Sequence, residues 1–171
     1  KTIENLQSHF DNILIINDGS TDGTLQSLNG INITLINHPI NLGQGAAIKT
    51  GIEYILKFSD ADAVITFDAD GQHLVKDALH FSNKIFEIKE EIIFGSRFLG
   101  FEKNIPLSKR ILLKFAIFLT NILYSIKMSD THNGLKAIKR SGLEKLDLTI
   151  EGYGFETEII MSVSKKKILF I

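Results

Sequence analysis

Short unbroken apolar runs alternate with longer stretches of helical periodicity along this chain, and that alternation restricts its fold more than any other feature. A brief apolar run bounded by turn residues is a buried strand, and strands that alternate with helices build a mostly parallel sheet with helices on its faces. Residues 13–16, 33–36, 63–67, 92–94 and 135–138 read as strands. Residues 45–58, 75 to about 88 and 106–126 read as helices, with further helices after Ser141 and Tyr153. In 45–58 the apolar positions include Ala46, Ile48, Ile52, Ile55 and Leu56. The chain has 171 residues, two prolines, no internal repeat and no low-complexity linker, so a single α/β domain is expected. It opens on Lys1 and closes on a strand-like apolar run, 167–171, and is read as a fragment truncated at both ends.

Charge narrows the partners. With 19 Lys+Arg against 20 Asp+Glu the net charge is −1, without the basic surplus that nucleic acid demands. No cysteine is present, so disulfides and thiolate metal sites are excluded. No apolar stretch reaches the roughly 18 residues of a spanning helix.

The polar clusters fall where strands end. In open α/β sheets ligands bind beyond the carboxyl ends of strands, so the clusters around Asp18, Asp68-Asp70 and Arg97 are expected to meet. Asp68-Ala69-Asp70-Gly71-Gln72 follows a buried strand. Two carboxylates at that spacing suit Mg2+ or Mn2+, which take oxygen ligands and keep other positions for water and substrate phosphates. A solvated acidic turn is the plainer alternative. Asp18, in Asn17-Asp18-Gly19-Ser20-Thr21-Asp22-Gly23, is a candidate for a nucleotide's base or ribose, whereas Asp22 or Thr21 suits a helix cap.

Asn41-Leu42-Gly43-Gln44-Gly45-Ala46 looks like a phosphate loop without the spacing of the known fingerprints. Such a helix start binds an anion or simply packs closely on the sheet. Gly43 and Lys49 are the candidates there, Lys49 with the helix surface as its rival place. Arg97, in Gly95-Ser96-Arg97, suits phosphate recognition, with a surface ion pair as its alternative. On the helix ending near 126, Arg110, Lys114, Asn121 and Ser125 share one face, and nearly everything else is apolar. That breadth exceeds what packing on one side of a sheet needs. A membrane interface would use it, with Lys109, Arg110 and Lys114 near headgroups; a missing segment or a dimer partner would also cover it. The five histidines show no paired metal spacing and read as polar loop or surface residues. No serine sits in a nucleophile elbow.

Taken together, Ile16-Asn17-Asp18-Gly19-Ser20-Thr21-Asp22, Asn41-Leu42-Gly43-Gln44-Gly45-Ala46, Asp68-Ala69-Asp70-Gly71-Gln72-His73, Gly95-Ser96-Arg97-Phe98 and Ser129-Asp130-Thr131-His132-Asn133-Gly134-Leu135-Lys136 resemble the family 2 glycosyltransferases of the GT-A, Rossmann-like fold. Within that family the chain looks most like the dolichyl-phosphate mannose synthase and polyprenyl-phosphate sugar synthase branch. The resemblance implies a nucleotide-diphosphate sugar donor and a polyprenyl phosphate acceptor at the cytoplasmic face of a membrane. It implies that Asp18 contacts the nucleotide, that Asp68 and Asp70 hold metal and diphosphate, and that Gln72 completes the metal shell. Arg97, Lys109 and Arg110 would handle the acceptor's phosphate, and Asp130 would sit in a loop closing over the site.

Three departures stand out. The family's opening strand is absent, Asn17 replaces the usual first aspartate, and Glu156-Thr157 stands where polysaccharide-building relatives carry a Glu-Asp pair. A hydroxyl acceptor must lose a proton to a carboxylate, whereas an ionised lipid phosphate needs none. The expected activity is therefore inverting sugar transfer to a lipid phosphate. A glycan hydroxyl acceptor, with Glu156, Glu158 or Asp130 as base, and a non-catalytic nucleotide-binding domain are the rival readings.

Overall fold

The computed structural model describes residues 2–71, 73–96, 98, 107–131, 133–149, 152 and 154–171. Its contacts gather into two units, one of residues Lys1–Ala61 with Asp147–Glu158, the other of Asp62–Leu146 with Ile159–Ile171. Each has its own sheet.

The first unit holds α1 (Thr2–Gln7), β1 (Leu14–Asp18), α2 (Thr24–Ser27), β2 (Thr34–His38) and α3 (Gln44–Phe58). β1 and β2 pair in parallel, in a register that runs from Leu14 opposite Thr34 to Asp18 opposite His38. Ala46 and Ile52 on α3 are buried, and Gly51 lies against Ile16 and Leu14 of β1. A two-stranded pair cannot bury its own face, so α3 supplies the cover.

The second unit holds β3 (Ala63–Thr66), α4 (Val75–Glu87), β4 (Ile92–Phe94), α5 (Leu107–Tyr124), β5 (Lys136–Lys139) and α6 (Arg140–Leu143). The last helix, α7 (Phe155–Lys166), starts in residues of the first unit and continues in residues of the second. The strand order is β3-β5-β4, and β5 runs antiparallel to both neighbours. The α/β class expected from the sequence is what forms, but this strand departs from the parallel expectation. The reason lies at its entry: Gly95 N–H donates to Leu135 O (2.9 Å), so the chain re-enters the sheet at the edge where β4 left it. A strand entering at that edge must run backwards. Ala137, fully buried, faces Ile65 and Ile93 across the two ladders and packs with Ile85 from α4. Val75, Ala78 and Ile85 recur at helical spacing and form the buried stripe of α4.

The run 167–171 extends the β4 edge. Ile171 N–H donates to Ile92 O (3.0 Å), and Phe94 N–H donates to Ile171 O (2.9 Å). Beside it, Lys145 Nζ reaches both oxygens of Glu91, at 2.8 and 2.9 Å. Burial pushes the Glu91 carboxyl up, yet the hydrogen bonds from Lys145 and Ser141, the Lys145 charge and the Leu169 backbone bring it below the ordinary carboxylate range. A carboxyl lowered by folding adds stability above its unfolded pKa and loses it as pH falls through the folded value. The melting midpoint is thus expected to fall below about pH 4, and Glu91→Gln to cost about 1–2 kcal/mol at neutral pH. A Glu91→Gln variant with the wild-type acid limb in a melting series would contradict this.

α5 ends at Tyr124, two residues short of the expected 126, and Ser125 takes a left-handed conformation (φ 52°). Ser125 thus falls outside the helix, while Arg110, Lys114 and Asn121 of the expected polar stripe lie on it. Asn121 turns toward the chain that follows, donating to Met128 O and accepting from Met128 N–H, each at 3.0 Å. The apolar surface remains open: Ile111, Leu112, Phe115, Phe118, Ile122 and Leu123 are 57–74% exposed. Among the described residues no helix is long and apolar enough to cross a membrane.

Candidate functional site

In the first unit, β1 ends on Asp18, and parallel pairing sets the His38 ring beside it. His38 Nδ1 lies 2.8 Å from Asp18 Oδ1, and its Nε2 lies 2.9 Å from Thr50 Oγ1 on α3. The same carboxylate accepts the Leu42 N–H at Oδ1 (2.9 Å) and the Gly43 N–H at Oδ2 (2.8 Å). Burial works against the charge, but the hydrogen bonds of His38, Leu42 and Gly43 together with the His38 ring hold the Asp18 carboxyl below its usual value. Gly19, at φ 68°, lets the turn after β1 pass so near the Ile40–Asn41 backbone that a Cβ would collide with it. Asp18 thus organises the glycine-rich loop at the start of α3. Asp22 accepts from Thr24 N–H (2.9 Å) in a local turn, but the N-cap of α2 is Gly23, without a side-chain cap bond, so the expected capping role is not the one Asp22 takes. Lys49 lies on α3, half-buried.

In the second unit, β3 delivers Asp68 and Asp70 at its carboxyl end. Asp70 is exposed, and Asp68 is half-buried with His73 Nε2 at a long 3.4 Å from its Oδ2. Gly134 presses so closely on Asp68 that a Cβ there would overlap the carboxylate. The Thr66 hydroxyl fixes this turn by donating to Gly134 O and accepting from Lys136 N–H (3.1 Å). Lys136 is 2% exposed, and its ammonium donates to Asn133 O at 2.6 Å. The end of β4 joins the same neighbourhood through the Gly95–Leu135 hydrogen bond. Next to it, Ser96 Oγ is buried and makes no hydrogen bond among the described residues.

No group of three His, Cys, Asp or Glu side chains forms a ready metal cage among the described residues. Two carboxylates are what remains, and that donor set fits a hard cation that keeps water and phosphate in its other positions. Asp130, between α5 and β5, is 3% exposed. Glu156 and Glu158 are buried on α7, and Thr149 engages both oxygens of Glu158 through its N–H (2.8 Å) and its hydroxyl. Arg110 lies exposed on the first turn of α5, whereas the Lys109 side chain lies outside the described residues. Gln72 and Arg97 lie outside the described residues. His38, Thr66 and Gly134 are the residues that sequence reasoning missed; it read His38 as a loop or surface histidine, whereas its side chain is 9% exposed.

The family model described as "Glycosyl transferase family 2" matches residues 1–147. The chain belongs to this family. A relative from Methanococcus voltae, UDP-N-acetylglucosamine--dolichyl-phosphate N-acetylglucosaminyltransferase, is 31% identical over 188 residues, covering 97% of this chain and 74% of the relative. The polyprenol monophosphomannose synthase of Mycolicibacterium smegmatis is 27% identical over 158 residues, covering 86% of this chain and 59% of that one. Among solved structures, glucosyl-3-phosphoglycerate synthase from Mycobacterium tuberculosis, in complex with Mn2+, UDP and phosphoglyceric acid, superimposes with a TM-score of 0.73 at 15% identity. It covers 96% of this chain and 59% of that one, a likeness of fold. This family 2 chain therefore has the GT-A fold, and it is similar to the dolichyl- and polyprenyl-phosphate sugar transferases within the family.

Proposed function

We propose that the protein transfers one sugar, with inversion, from a nucleotide-diphosphate sugar to a polyprenyl phosphate, using Mg2+ or Mn2+. The observation that carries this reading is the Asp68 carboxylate seated against Gly134 at the end of β3, with Asp70 exposed two residues on. Asp68 and Asp70, with Gln72, would hold the cation, which when bound supplies charge screening for a leaving diphosphate. Asp18, Gly43 and Lys49 are assigned to the nucleotide-sugar end, where Asp18 acts by shaping the loop. Arg97, Lys109 and Arg110 are assigned to the acceptor phosphate, and Asp130 to the loop beside it. An acceptor phosphate oxygen forms the new bond to the anomeric carbon as the bond to the diphosphate breaks, and the nucleotide diphosphate departs. No proton has to be removed, because the phosphate is already ionised near neutral pH.

The names of the two relatives support a lipid phosphate acceptor. So does Glu158, whose two oxygens are engaged by Thr149, an arrangement unlike that of a waiting general base. The exposed apolar face of α5, with Arg110 and Lys114 on the same helix, would lie on an anionic membrane surface near such an acceptor. The test is a panel of UDP- and GDP-sugars offered to the full-length protein with Mn2+, against polyprenyl phosphate in anionic vesicles and against a glycan acceptor. Transfer to the lipid phosphate and sedimentation with the vesicles are expected. Transfer to the glycan alone would overturn the acceptor assignment, and no turnover of any donor would favour a non-catalytic binding domain.

A further inference from the structure

The Asp18 carboxylate does not stand alone at the end of β1. It is the middle member of a hydrogen-bonded chain that begins at the Leu42 and Gly43 amides, passes through Asp18 to the His38 ring and ends on Thr50 of α3. Gly43 immediately precedes α3 and Thr50 lies in its second turn, so the chain closes a ring on that helix. The carboxylate alone could tie down the two amides. Those amides come from a loop, however, and a hold on the carboxylate's two torsions from outside that loop is needed to fix carboxylate and loop together. His38 is placed to hold it: parallel register sets it opposite Asp18, and the Thr50 hydroxyl fixes the far side of its ring. With Asp18 ionised, Nδ1–H donates to the carboxylate, which sets the ring's orientation.

We propose that His38 is a positioning residue that locks Asp18, and through it the Leu42–Gly43 amides at the start of α3, in the arrangement that receives the nucleotide sugar. This rests on the nucleotide-sugar reading above. Its distinct content is that donor recognition depends on an imidazole that itself touches no substrate. Removal of the ring frees the carboxylate to rotate and the loop to open, so the effect falls on donor binding rather than on the bond-making step.

The experiment compares His38→Ala, His38→Asn and Thr50→Val with the wild type in the full-length protein, by amide hydrogen exchange without nucleotide and by steady-state kinetics. In His38→Ala, exchange at Leu42 and Gly43 is expected to speed up about tenfold or more. The donor KM is expected to rise about tenfold, with kcat and the acceptor KM within about twofold. His38→Asn, whose amide nitrogen can stand where Nδ1 does, is expected to recover most of both. Thr50→Val shifts both in the same direction by less, and it carries the test if His38→Ala does not fold. Unchanged loop protection in a folded variant overturns the proposal. So does a loss confined to kcat, or equal defects in the alanine and asparagine variants. A wild-type protein that binds no nucleotide diphosphate overturns the functional reading instead, while loop exchange in the variants still decides the positioning role.

Discussion

Asp70→Ala in the full-length protein is expected to lower sugar transfer by about a thousandfold, roughly 4 kcal/mol of lost transition-state stabilisation. The charge that builds on a departing diphosphate is the largest electrostatic demand of the proposed reaction, and a cation held by carboxylate oxygens answers it. Asp70 is exposed, so its loss should leave stability within about 0.5 kcal/mol of wild type. The variant therefore separates chemistry from folding. Single-turnover transfer, measured beside a melting curve, reads both, and activity within tenfold of wild type would remove Asp70 from the mechanism.

Gly134→Ala is expected to act on the same carboxylate pair from the opposite side. A Cβ at this position would overlap the Asp68 carboxylate. The Gly134 backbone has little room to yield, because its carbonyl accepts the Thr66 hydroxyl while Thr66 also binds Lys136 N–H. The conflict is relieved by turning Asp68 away. A misplacement of about 1 Å at a reacting centre costs on the order of a hundredfold in rate, and that is the loss expected here. Because a short side chain can rotate at modest cost, the melting midpoint should move by only a few degrees. A Gly134→Ala protein with full turnover would mean that Asp68 is free to act from another position. One that unfolds outright would mean that the turn holds the sheet rather than the site.

The alternation of strands and helices was legible because apolar runs as short as 92–94 have no other way to be buried. Their ends were less legible. β1 and β2 continue through Asn17-Asp18 and Asn37-His38, polar residues that still take part in the ladder, so an apolar criterion stops two residues early. That same offset held the signal for His38: it stands two residues past its apolar run, as Asp18 does past its own. Read alone, the histidine lacked a metal-binding partner and looked like a surface residue; only strand register sets it beside a carboxylate. The direction of β5 was hidden for a similar reason, since it depends on the sheet edge at which the chain returns, and residue pattern does not record that. Asp18 was recognised as a site residue, but its bonds to Leu42 and Gly43 arise from a loop that lies more than twenty positions away in the chain. Gly134 sat inside a motif already noticed, while its consequence for Asp68 is a matter of one absent methyl group.

Calorimetric titration of the full-length protein with UDP and with GDP, each with and without Mn2+, in wild type and Asp68→Asn, tests the central claim most directly. One of the two nucleotides is expected to bind wild type at least about tenfold more tightly when Mn2+ is present, and Asp68→Asn to abolish this gain. Equal affinity with and without the cation, or a gain that survives in Asp68→Asn, would contradict it.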